Sequence, residues 1–101
     1  MRIREIFRSR LAGLLGVEAI VLYPFILYRS DKIQIGLRRH EWQHVIQVRR
    51  DGVLKFYLKY LWEYVAGRLK GMSHHDAYEN ISYEIEARLA QDDGQRPWEE
   101  D

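Results

Sequence analysis

The chain contains no cysteine and only two prolines among its 101 residues. Without thiols there is no disulfide framework, and any bound metal must be held by histidine, carboxylate and water. The same absence is compatible with every redox compartment. An excess of either charge is also missing: Lys and Arg number 16 against 15 Asp and Glu, for a net +1. No overall field therefore points to nucleic acid as a partner. A continuous apolar run able to cross a bilayer is absent too. Leu11–Tyr28, preceded by Arg2, Arg4, Arg8 and Arg10, has the outline of a signal peptide or anchor, yet Glu18 and Pro24 interrupt it and no small-residue cleavage site follows. The expectation is a soluble, cytoplasmic chain, with peripheral membrane contact left open and oligomeric state unspecified.

What is present is ordinary globular composition, 47% hydrophobic and 31% charged, in a length that suits one domain. Residues 1–91 are expected to form that domain and 92–101 an acidic flexible tail. Ile3, Ile6, Phe7, Leu11, Leu14 and Leu15 recur at helical spacing, which predicts an amphipathic helix over 2–15 ended by Gly16. Ala19–Tyr23 and Phe25–Tyr28 are rich in β-branched and aromatic residues, and Pro24 divides them, so an edge strand or two short strands are expected. A helix from about Ile33 to Arg50 follows, with Asp51-Gly52 as its stop. Val53–Leu69 is a second helix, apolar or aromatic apart from one stripe of Lys55, Lys59 and Glu63. Such a helix is normally central in a bundle; its Trp, Tyr and Lys content also suits a membrane-interface or partner-binding face. Ser73-His74-His75-Asp76 has the form of a capping box opening a third helix towards Gln91, with Asn80 and Ser82 permitting a break. The fold class is thus mainly α (α+β): an N-terminal helix, a short edge strand or hairpin and three packed helices.

The densest chemistry lies in His40-Glu41-Trp42-Gln43-His44, an HExxH pentad. Four residues of α-helix advance about 400°, so the two imidazoles sit one turn apart on one face and can approach one Zn²⁺. Glu41, turned about 100° from His40, is placed to reach a metal-bound water as general base. Gln47 falls within about 20° of the His40 direction and joins the metal-facing side.

A catalytic zinc needs three protein ligands and an open position. His74 and His75 lie downstream, but a helix start accounts for at least one of them. Glu84 and Glu86 are the carboxylate candidates, pointing about 200° apart, so one alone can face the metal. Ile81, Ile85 and Leu89 are expected to form the buried stripe of that helix, which leaves Glu84 mildly ahead of Glu86.

The pentad with Gln47, the Phe56-Tyr57-Leu58-Lys59-Tyr60 stretch, and Ala77-Tyr78-Glu79-Asn80-Ile81-Ser82-Tyr83-Glu84-Ile85-Glu86-Ala87 together resemble the small bacterial zincin-like proteins of unassigned function, related in style to the gluzincin metallopeptidases. The likeness covers roughly residues 20–90. It implies a minimal zincin-like core, a Zn²⁺ cofactor, His40, His44 and Glu84 as ligands, Glu41 as catalytic base, and a peptide or protein substrate. Arg88 stands where gluzincins carry a second carboxylate, so Glu79, Gln47 or a backbone carbonyl would have to orient a histidine. Tyr83, Tyr78, His74 and His75 are the unranked candidates for donors to an oxyanion. The expected activity is zinc-dependent peptide-bond hydrolysis, with substrate extended along Phe25–Arg29. The alternatives are a non-catalytic zinc-stabilised scaffold and a membrane-peripheral binding module.

Overall fold

A computed structural model describes residues 2–101. Its elements, in chain order, are β1 (Arg4–Ile6), α1 (Arg10–Leu15), β2 (Ala19–Leu22), β3 (Phe25–Tyr28), α2 (Ile35–Asp51), α3 (Val53–Leu69), α4 (His74–Glu79) and α5 (Ser82–Ala90), with a short 3₁₀ turn at Pro97–Glu99. The class is mainly α with a small sheet, as expected.

The N-terminal segment departs from the expected single helix. Ser9 caps α1 by accepting from the Ala12 N–H at 3.2 Å, so the helix starts only at Arg10. Arg4–Ile6 instead pairs in parallel with β3. The apolar spacing over 2–15 fits a helix equally well; the long-range partner decides otherwise. Pro24 sits in the turn between β2 and β3, which pair antiparallel and give the sheet order β1-β3-β2. β3 is therefore central, not an edge, and the expectation that Phe25–Arg29 offers itself to a substrate is corrected. The open edge facing the helices is β2.

Tyr57 reaches that edge from α3: its hydroxyl donates to the Val21 carbonyl (2.9 Å) and accepts from the Tyr23 N–H (3.0 Å). Register explains the pair. The Arg29 N–H bonds Glu18 O (2.9 Å), so Ile20 and Leu22 face β3, whereas Ala19, Val21 and Tyr23 turn their backbone groups outward.

α2 is the axis of the molecule, packed against α5, α3 and β2. It stops at Gly52, whose φ of 94° suits a residue without a Cβ. One apolar cluster lies between its first half and the sheet (Ile3, Val21, Ile26, Tyr28, Trp42, Val45) and another beside its second half (Val48, Phe56, Ile81, Tyr83). Arg38 bridges to the sheet with a two-pronged grip on Glu5 (2.9 and 2.6 Å), which also accepts from Tyr28 Oη at 2.7 Å.

Three further expectations change, and the break allowed in the third helix is present. α3 is not central: Phe56 and Gly67 are its only fully buried residues. The third helix is broken at Asn80, as its composition allowed, into α4 and α5. In α5 the inward stripe is Tyr83, Glu84, Ala87 and Ala90, while Ile85 and Leu89 face solvent; small alanines let α5 approach α2 closely. The acidic end is not a free tail either. Trp98 lies under the Arg38 guanidinium, 4.2 Å from ring centroid to Cζ. Asp101 accepts from the Ile3 N–H (2.9 Å) and from Arg49 (2.5 Å).

Candidate metal centre

α2 and α5 run against each other, and three side chains meet at their contact: His40 and His44 from one, Glu84 from the other. The Glu84 carboxylate divides itself between the two rings, Oε1 at 2.7 Å from His40 Nε2 and Oε2 at 3.0 Å from His44 Nε2. The donor atoms all lie within 4.8 Å of one another. Glu84 is 2% exposed. Glu86, its rival, is turned the other way and takes bonds from Gln43 (3.3 Å), Gln47 (3.0 Å) and Arg50 (3.1 Å).

Each imidazole is held from behind by an amide oxygen. His44 Nδ1 lies 2.8 Å from Gln47 Oε1, and His40 Nδ1 lies 2.6 Å from Gln91 Oε1. The orientation of Gln47 follows from its other bonds, because its Nε2 donates to the Tyr83 carbonyl and to Glu86, both acceptors only. Its oxygen must therefore face His44, which donates through Nδ1 and turns Nε2 towards Glu84. Gln47 does what a second carboxylate would do elsewhere. Arg88 and Glu79 stand apart from this: Arg88 donates to the Glu79 carbonyl at 2.6 Å.

Two carboxylates are buried here, Glu41 and Glu84, and the charges that act on Glu41 are those of His44, His40 and Glu84. Burial pushes the Glu41 carboxyl upward against the pull of the two histidines. Burial also opposes the charge on Glu84, but hydrogen bonds from His40 and His44 outweigh it and hold the group well below the usual carboxylate range. Burial is the largest influence on both imidazoles and lowers them, but Glu84, Glu41 and the amide oxygens of Gln91 and Gln47 together raise them further, so they lie above the ordinary histidine value. Buried carboxylates without compensation are costly. A divalent cation at the three donors would balance the two carboxylates and take over the place of the Nε2 protons. The nitrogen and oxygen donor set suits zinc and its first-row neighbours.

The cluster opens on one side into a groove of about 350 Å³ lined by Val17 and Ala19–Leu22 on the sheet side and by Phe56, Tyr57, Tyr60 and Tyr78 opposite, with Glu41, His44 and Glu84 at its floor. Tyr60 donates to Glu84 Oε2 at 2.5 Å. Burial first, then the Glu84 charge, raises the Tyr60 and Tyr78 phenols far above their ordinary value, so both remain neutral donors.

Of the donors expected from sequence, Tyr78 alone lines the groove. Tyr83 spends its hydroxyl on Asp51 (2.6 Å), and burial together with that bond pushes it up to about 12. His74 pairs with Tyr64 (2.8 Å) and His75 with Glu79, both in exposed positions. Tyr60 and Gln91 are the site residues that the sequence reading missed. Gln91 lies seven residues after Glu84, hence on the same helical face within about 20°; that spacing is the signal that could have found it. The chain matches no family model, no curated protein and no solved structure.

Proposed function

We propose that the chain is a zinc-dependent peptidase. The observation that carries this reading is the junction of three donor side chains with a buried carboxylate, Glu41, at the floor of one groove. His40, His44 and Glu84 would hold the ion. When bound, zinc supplies Lewis acidity, lowering the pKa of water towards about 7 and polarising a carbonyl.

The remaining work falls to the protein. Glu41, raised by burial, accepts the proton of the attacking water. As the water oxygen bonds the carbonyl carbon and the C–N bond breaks, Glu41 hands that proton to the leaving amine. Tyr78, neutral and facing the groove, donates to the carbonyl oxygen as it gains negative charge, while Tyr60 keeps its hydroxyl on Glu84. Gln47 and Gln91 keep both rings in the tautomer that leaves Nε2 for the metal. The outward-facing backbone of β2 at Ala19 and the Val21 N–H offers an extended substrate its hydrogen bonds.

The test is metal analysis of purified protein together with cleavage of a mixed peptide library. Glu41→Gln should keep the zinc and lose turnover by 100-fold or more, roughly what a positioned base contributes. His44→Ala should lose both. Protein that takes up no zinc at neutral pH overturns the metal centre. Zinc uptake with no cleavage of any peptide overturns the peptidase and leaves a metal-stabilised scaffold.

A further inference from the structure

We propose that the outer face of α3 is a ridge that docks on an anionic phospholipid surface, a function independent of the metal centre. α3 carries two apolar faces. The inner one is accounted for: Phe56 and Gly67 are buried, Tyr60 bonds Glu84 and Tyr57 bonds β2. The outer one is formed by Leu54, Leu58, Leu61, Trp62, Val65 and Leu69, all exposed. These six fall within about 100° of arc, opposite the buried face, and run about 22 Å along the helix. No described residue covers them.

Shape and charge select the occupant. Leu54 is 74% exposed, Trp62 64% and Leu69 77%, so the side chains stand out from a convex helix and line no groove. A ridge of leucine with one tryptophan can sink into the headgroup region. Lys55 and Arg68 flank the stripe on either side and Lys70 follows its end. The acidic residue of α3, Glu63, is turned inward to bond the Ser82 N–H (2.7 Å) and hydroxyl (2.9 Å). The ridge is therefore apolar with a cationic border. A second copy packed face to face on it would bring further cations to that border and no acidic residue of α3 to pair with them. An anionic bilayer supplies the complementary charge, and lysine and arginine stems reach back to the headgroups. The helix cannot insert across: no described helix is long and apolar enough to span a membrane. It would lie in the interface plane.

Sedimentation of the intact chain with vesicles decides the matter. Three cations near the surface predict binding to phosphatidylglycerol vesicles roughly 100-fold tighter than to phosphatidylcholine vesicles, falling with added salt. Leu58→Glu with Leu61→Glu should abolish sedimentation while circular dichroism stays unchanged, since both side chains already face water. Lys55→Glu with Arg68→Glu should remove the preference for anionic lipid. Trp62 should account for a blue shift in emission on binding, lost in Trp62→Phe. Binding that survives the double leucine variant overturns the proposal and moves the contact elsewhere, to the arginine-rich N-terminal residues first. A chain that ignores phosphatidylglycerol vesicles overturns it too, and a dimer that Leu58→Glu with Leu61→Glu converts to monomer would identify the ridge as an interface between copies.

Discussion

Replacing Gln47 by leucine isolates the part of the site that neither binds metal nor touches substrate. The side chain is fully buried and makes three hydrogen bonds, to His44 Nδ1, the Tyr83 carbonyl and Glu86. Leucine fills nearly the same space. It strands the His44 Nδ1–H in dry surroundings, at about 1–3 kcal/mol. Tyr83 lies inside α5 and keeps its helical partner, so the loss there is about 0.5–1 kcal/mol. Glu86 is half exposed and turns to water. Burial of the leucine methyls returns about 1 kcal/mol, so the net cost is about 2 kcal/mol. In a domain of this size that is a fall in melting temperature of roughly 8–16 °C. The freed ring also loses its fixed tautomer, so zinc affinity should drop about 10–100-fold. Urea unfolding in chelator measures the first quantity, and competition with a chromophoric chelator the second. Gln47→Glu restores the acceptor for Nδ1–H while confronting Glu86 with a second carboxylate, so it should regain affinity and remain less stable. A Gln47→Leu protein that binds zinc as tightly as the original would refute the positioning argument.

Metal-free protein should lose stability as pH rises. His40 and His44 lie above their ordinary value of 6.5 in the fold, so their contribution is complete below that value and disappears as pH climbs through the folded-state values. Glu84 is depressed below 4.5, so its share holds above that value and is lost only in strong acid. Zinc at these nitrogens would displace the imidazole protons, so melting curves with and without the metal should diverge as pH increases from about 5 to 8; parallel curves would contradict the assignment. Glu86→Ala should change zinc affinity less than Gln47→Leu in the same competition assay, because water can replace a half-exposed carboxylate. Gly67→Ala should lower the urea midpoint, since its new Cβ would meet Ala77 Cβ at 3.1 Å, Ala77 Cα at 3.3 Å and Met72 Sδ at 3.3 Å. The overpacking of about 1–3 kcal/mol exceeds the helix-propensity gain of up to about 1 kcal/mol.

Local spacing carried a good share of the site. One helical turn between His40 and His44, and one more short step to Gln47, suffice to put three groups on one face before any packing is known. The choice between Glu84 and Glu86 needed the face of α5 that meets α2. That face is marked by Ala87 and Ala90, where the larger Ile85 and Leu89 suggested another. Tyr60 was hidden by the double-sided apolar character of α3, which periodicity alone cannot orient. The N-terminal segment failed for a different reason: its pattern is helical, but the backbone bonds available from β3 lie some twenty residues away and leave no local trace except the Ser9 cap. His74 and His75 look reactive in one dimension, yet the turn at Gly71 and the start of α4 leave them on the outside.

The hydroxyl of Tyr57 on β2 has a consequence for whether this strand can pair with the same strand of another copy. A strand edge left open for extended chains is also a template for the same strand of another molecule. Here two of the outward backbone groups, Val21 O and Tyr23 N–H, are occupied by one phenol. What remains is the stretch from Ala19 to the Val21 N–H, about 7 Å of strand. That is too little for two copies of β2 to zip together in register. The tyrosine acts as a stop on this edge, closing half of it to strand pairing with a single oxygen atom.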